Sequence, residues 1–123
     1  MVVAARTALR TVLSADDDRY LAFQMWQEGV ARYTELAMAR RAAEHHAPSE
    51  AFRALPNYTS YADAAVALAR GIGTELRADF TSMRRIAFYP VGAATALLLD
   101  DATPEWRARY FERGYSLDSL GSR

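Results

Sequence analysis

No proline interrupts the chain between Ser14 and Pro48, and that stretch holds a single glycine, Gly29. Inside a helix, relative to alanine, proline costs about 3 kcal/mol and glycine about 1 kcal/mol. The stretch can therefore carry one long helix, and Gly29 in its middle needs a reason. Ser14 stands three residues before Asp17, a spacing at which the serine oxygen caps a first-turn amide. Asp16, Asp17 and Asp18 fall where the helix macrodipole is positive. The helix is predicted to run to about His46, with Pro48 ending it. Phe23, Trp26, Val30, Tyr33 and Ala37 recur at three- and four-residue steps and predict one buried stripe. Glu28 lies off that stripe, beside Leu21, Met25 and Ala31. A helix apolar on so much of its girth packs on more than one side, which makes it the central helix.

The remaining punctuation divides the chain into further helices. Residues 2–13 predict a short first helix with Val3, Leu9 and Val12 or Leu13 inward. Pro48 to Pro56 reads as a connector with room for a helical turn around Phe52. Ser60 and Asp63 repeat the capping pattern, and Tyr61, Ala65, Leu68, Ile72 and Leu76 form a second stripe. The Gly71-Ile72-Gly73 run is expected to weaken or kink that helix. After a polar link around Thr81-Ser82, Pro90 suits the first position of a helix, and Val91 through Leu99 are expected to be almost wholly buried. Thr103-Pro104-Glu105 starts a final amphipathic helix that Gly114 ends, and the tail from Tyr115 is expected to be loose. The result is a single all-α domain over residues 1–123, a compact bundle of about five helices with a long central helix and no sheet.

Composition excludes several function classes. Half of the 123 residues are apolar and a quarter charged, with 15 basic and 15 acidic side chains. No net field draws the chain to nucleic acid or to a membrane surface. The absence of cysteine excludes disulfides, thiol nucleophiles and thiolate metal sites. Arg6 and Arg10 break the N-terminal apolar run before it reaches the length of a secretory core or a membrane span. If Met1 is the native start, that reading places the chain in the cytoplasm. Asp16-Asp17-Asp18 lacks a calcium loop, and no phosphate loop or nucleophile elbow is present. His45 and His46 point about 100° apart on a helix and lie far along it from Glu28, so their place near the helix C-terminus accounts for them. Arg84 and Arg85 are expected to face water, and Asp100-Asp101 to mark a helix end.

Two short motifs carry more. Trp26, Glu28, Gly29, Tyr33 and Glu35 spell W-x-E-G-x-A-x-Y-x-E. This resembles a segment of gluzincin-type zinc metallopeptidases, whose aminopeptidases read W-x-x-E-G-F-A-x-Y-x-E; here the tryptophan is one residue nearer the glutamate. About sixty residues on, Tyr89-Pro90-Val91-Gly92 resembles the Y-x-x-G of the same enzymes and is likewise followed by an apolar helix and an aromatic-rich segment. The resemblance covers roughly residues 20–113. It implies Glu28 as a third zinc ligand and Tyr89 as the phenol that donates to the oxyanion of a tetrahedral intermediate. It further implies Gly29, Tyr33, Glu35 and Gly92 as supporting residues.

One departure weighs against activity. Zinc hydrolysis takes three protein ligands and an open position, and in these peptidases two of the ligands and the general base come from H-E-x-x-H. No such motif occurs in the chain. At the spacing common to the group its five positions would be Ala5 to Leu9, none of which supplies a ligand or a base. Two readings follow. The chain is a partial or degenerate gluzincin-like domain that holds zinc only if the missing ligands are supplied and does not hydrolyse peptides by itself. Alternatively it is a non-catalytic helical assembly module in which Glu28 merely pairs with Arg32. The first expects Glu28 and Tyr89 to face each other across a buried concavity. Apolar surface left uncovered on the central helix would make the chain a homo-oligomer or the partner of a missing N-terminal half.

Overall fold

The computed structural model describes residues 2–112 and 114–121, and the predicted all-α fold is the one observed, with no strand among the described residues. A first helix spans Val2–Arg10. The central helix runs over residues 15–45 and is built from α-helical Ala15–Gln24, a π-helical turn at Met25–Gly29, and α-helical Val30–His45. Short turns at Glu50–Arg53 and Phe80–Met83 flank a lateral helix, Tyr61–Glu75. A 3₁₀ turn, Arg84–Ala87, leads into the apolar helix, Phe88–Ala102. The apolar and lateral helices both pack on the central one and also touch each other. The predicted caps are present. Ser14 accepts from the Asp17 amide at 3.1 Å and Ser60 from the Asp63 amide at 3.0 Å.

The π turn changes which residues are inside. A π turn takes one residue more than an α turn before the chain returns to the same face, so a stripe extrapolated at 3.6 residues per turn loses register across it. Met25, Gly29, Tyr33 and Leu36 are buried, whereas Phe23 is exposed and Trp26, Val30 and Ala37 are only partly covered. Trp26 instead closes a reciprocal clamp with Tyr110. The rings stack at 4.6 Å and 9°, the Trp26 indole N–H donates to the Tyr110 carbonyl at 3.2 Å, and the Tyr110 hydroxyl donates to the Trp26 carbonyl at 2.7 Å. Burial pushes the Tyr110 phenol up to about 12.

The central and apolar helices meet backbone to backbone at Gly29 and Gly92. A Cβ on Gly29 would lie 2.7 Å from the Gly92 carbonyl carbon and closer still to its Cα. A Cβ on Gly92 would lie 2.5 Å from the Gly29 Cα and 2.6 Å from the Met25 carbonyl oxygen. Ala93 and Ala96 continue this small-residue seam with no exposed surface, and Leu99 extends it. Gly29 therefore occupies its place because no side chain fits there.

Several expectations are corrected. The apolar helix begins two residues before Pro90, which sits buried in its first turn, where its missing N–H leaves no ladder bond unmade. Leu98 on the same helix is half exposed. Val12 is 77% exposed and Leu9 also faces out; Leu13 is partly covered, and the side chain of Val3 lies outside the described residues. The lateral helix runs through Gly71 and Gly73 without a break, and Leu76 at its end is exposed. The link at Thr81-Ser82 is a helical turn capped by Asp79. After Thr103 the chain forms a 3₁₀ turn, Pro104–Arg107, followed by further turns; no final helix forms over the residues described up to 112, and Arg113 lies outside them.

The tail is not loose. Leu117 and Leu120 are buried, and Asp118 accepts from Arg6 Nε at 2.8 Å and from Arg10 Nη2 at 2.7 Å. Arg6 also pairs with Asp18 at 2.6 Å, so the C-terminal segment, the first helix and the central helix are tied together. Burying each of these leucines contributes about 1.5–3 kcal/mol, enough to hold a short segment that lacks regular structure.

The glycine seam makes a prediction of opposite signs. Gly29→Ala and Gly92→Ala drive a methyl into backbone that cannot yield, and each is expected to destabilise the fold by about 1–3 kcal/mol or more despite the better helix former. Gly71→Ala, with nothing within 4 Å of the new methyl, is expected to stabilise by up to about 1 kcal/mol. Urea denaturation followed by circular dichroism measures all three. A neutral Gly29→Ala would show that the close approach is not needed.

Candidate functional site

Glu28 lies at the end of the π turn and Tyr89 in the first turn of the apolar helix, each next to the seam: Glu28 precedes Gly29, and Tyr89 lies three residues before Gly92. The glycine contact therefore brings the two side chains together. The Tyr89 phenol is raised above its ordinary value, first by hydrogen bonding with the Glu28 carboxylate, next by burial and then by the carboxylate's charge, while the Arg85 guanidinium acts the other way. Arg85 donates to Glu28 Oε1 at 3.2 Å. Arg85 and Tyr89 are four residues apart at the helix start, a spacing that puts both on one face. Glu28, Tyr89 and Arg85 thus form one cluster of carboxylate, phenol and guanidinium.

The cluster sits at the surface. Glu28 keeps 20% of its side-chain exposure, Tyr89 is partly buried, and Arg85 is largely exposed. In place of the expected buried concavity the two side chains meet directly at the surface, and two clefts of about 400 and 320 Å³ are lined by neither of them. The reason is steric. Helices that meet backbone to backbone at Gly29 and Gly92 leave no room for a hollow between them.

The other motif residues have different partners. Tyr33 is buried one turn farther along the central helix, against the distal end of the apolar helix. Its hydroxyl donates to the Asp100 carboxylate at 2.8 Å and accepts from Arg107 Nη1 at 2.8 Å. Burial, then the bond to Asp100, pushes its phenol up. The Trp106 indole N–H donates to the same carboxylate at 2.9 Å. Glu35 is exposed and pairs with Arg32, which also holds Glu75 at 2.8 Å. The structure therefore joins Glu28, Gly29, Tyr89 and Gly92 and leaves Tyr33 and Glu35 outside the cluster. Arg32 does not pair with Glu28, as the alternative reading expected; it holds Glu35 and Glu75, and Glu28 takes Arg85.

Sequence reasoning missed Arg85, Asp100 and Asp118. Arg85 could have been found from its four-residue spacing to Tyr89. Asp118 carries no local signal, since Arg6 and Arg10 come from the other end of the chain, and Asp100 joins the nearby Trp106 and Arg107 to the distant Tyr33.

The donor set does not make a zinc site by itself. A closed or catalytic zinc site takes three or four ligands from His, Cys, Asp or Glu, and no group of three such side chains is placed to hold a metal ion among the described residues. Glu28 is a lone carboxylate with a cation already against it. What the cluster can do chemically is narrower. The raised Tyr89 phenol keeps its proton well above neutral pH and remains a hydrogen-bond donor, and Glu28 and Arg85 orient it.

Comparison with known proteins finds no family model, no curated protein and no solved structure that matches the chain. No helix among the described residues is long and apolar enough to cross a membrane.

The electrostatic coupling is testable. Glu28→Gln removes the negative charge that disfavours the phenolate, so the Tyr89 pKa is expected to fall toward 10.0. Arg85→Ala removes the cation that favours it, so the pKa is expected to rise further. Carbon-13 NMR of ring-labelled tyrosine resolves both. A Tyr89 resonance that titrates identically in all three proteins would show that the side chains do not interact.

Proposed function

We propose that the chain is a gluzincin-like helical domain that carries a carboxylate and a phenol of the peptidase type but does not hydrolyse peptides by itself. The observation that carries this reading is the contact of Gly29 with Gly92. Each glycine belongs to one of the two short motifs, and their contact sets Glu28 beside Tyr89. The likeness rests on both motifs meeting. The reading assigns Glu28 as a metal-ligand position lacking its companions and Tyr89 as a hydrogen-bond donor. It assigns no catalytic step to the chain alone.

The first helix offers the test. Ala5 and Leu9, the positions at which histidines would stand, both line a cleft of about 320 Å³ that also includes Met25, one turn before Glu28. The double variant Ala5→His, Leu9→His is expected to gain micromolar or tighter zinc affinity in isothermal titration calorimetry, lost on adding Glu28→Ala and strengthened on adding Arg85→Ala. Zinc binding indifferent to Glu28 would overturn the assignment.

A second reading, an assembly module, is favoured by a different observation. Phe23, Phe111 and Tyr115 surround the Trp26–Tyr110 stack, and Phe111 remains 84% exposed. Exposed aromatic clusters of this kind mark association surfaces. Under this reading the chain sediments as a dimer or larger species, and Phe111→Ser with Tyr115→Ser returns it to a monomer in analytical ultracentrifugation. A monomer at all concentrations would remove it.

A further inference from the structure

A cleft of about 400 Å³ opens farther along the central and apolar helices, beyond the glycine seam, where Tyr33 forms the floor and Arg40, Arg41 and Arg107 line the walls. Its volume falls in the range of small-molecule sites. Arg40 and Arg41 have no ion-pair partner among the described residues, whereas Arg6, Arg10, Arg32 and Arg85 each reach a carboxylate of a separate element. Arg107 is different. Its Nη1 donates to the Tyr33 hydroxyl at 2.8 Å and its Nη2 lies 3.5 Å from Asp100, so its fork is held in place while 57% of the side chain stays exposed.

Two carboxylates also line the cleft, against three guanidiniums, which leaves a net positive charge there. Asp100 already accepts from Tyr33 and Trp106 and pairs with Arg107. Glu44 is exposed and lies beside His45, 3.5 Å away. The arginines therefore keep an excess of positive charge and of free N–H groups. Next to them Ala37, Met38 and Leu97 give an apolar wall, of which Met38 is 60% exposed. An apolar side chain left open beside unpaired guanidiniums is a surface for a molecule with one charged and one apolar end.

We infer that this cleft binds a small organic anion, its oxyanion head held by Arg40, Arg41 and the anchored fork of Arg107 and its short apolar body laid on Ala37, Met38 and Leu97. Guanidinium groups match carboxylate and phosphate geometry alike, so both heads are candidates and the neutral analogue is not. The floor is preorganised, because Tyr33 and Trp106 are buried and already hydrogen-bonded, so binding orders only the two free arginines. The inference does not depend on the role of Glu28 or Tyr89, which lie outside the cleft.

The test is an NMR titration of the full chain at low salt with hexanoate, hexyl phosphate, acetate and hexanol. Hexanoate or hexyl phosphate is expected to bind saturably, perturbing residues of the cleft, with acetate and hexanol at least tenfold weaker. The better of the two heads identifies the anion. Arg40→Ala with Arg41→Ala is expected to weaken binding by about tenfold or more, whereas Arg53→Ala with Arg70→Ala, which removes the same charge elsewhere, is expected to leave it unchanged. All these arginines are exposed, and circular dichroism confirms that the variants fold. Equal binding of hexanol, equal losses in both double variants, or no saturable shift at millimolar ligand would each overturn the inference.

Discussion

The missing side chains at Gly29 and Gly92 fix the spacing of the two helices that form the middle of this molecule. Where the backbones touch, no apolar side chain is buried, so the contact itself contributes dispersion and little else. Stabilisation comes from the groups the contact brings within reach at either end. On one side Trp26 and Tyr110 stack and exchange hydrogen bonds; on the other Tyr33, Asp100 and Trp106 close a buried polar knot. The π turn belongs to the same constraint. By widening the helix over Met25–Gly29 it turns Met25 and Gly29 toward the apolar helix and leaves Trp26 free to meet Tyr110.

Charge organises what the seam leaves open. Every basic residue is arginine, and the guanidinium fork can serve two carboxylates at once. Arg6 bridges Asp18 and Asp118, and Arg32 bridges Glu35 and Glu75. Arg6 is only 11% exposed and Arg32 25%, so the cost of taking these charges out of water offsets much of their attraction, while removal of one partner would leave the other uncompensated. These pairs select which segments meet. Asp118 brings the C-terminal turn onto the first helix, and Leu117 and Leu120 then bury against the core.

This division explains what was legible in the sequence. The serine caps at 14 and 60, the extent of the central helix and the all-α class rest on local rules and could be read directly. The inward face of the central helix could not, because a π turn at Met25–Gly29 shifts its register and no local pattern marks that turn. Likewise Val12 and Leu9 look apolar and inward by spacing, yet the first helix is held by Arg6 and Arg10 instead. The tail looked loose because Ser116, Asp118 and Ser119 are turn formers, and its two buried leucines are too few to form a pattern. Glu28 and Tyr89 were legible only as members of two motifs, and Arg85, four residues before the tyrosine, was legible but passed over.

The W-x-E-G-x-A-x-Y-x-E segment does two jobs, one in the packing of the helices and one at their surface. Packing fully accounts for Gly29 and Tyr33: the first admits the apolar helix, and the second anchors Asp100 and Arg107. Packing does not account for Glu28 or Tyr89. Both keep exposed surface, and the pair that Glu28 makes with a largely solvated arginine contributes little to stability. A fold that needed only the glycine seam would accept many residues at these two positions. A carboxylate and a phenol set side by side at the one point where the backbones touch are what a functional account has to explain, and that is where the peptidase-like reading and the assembly reading divide.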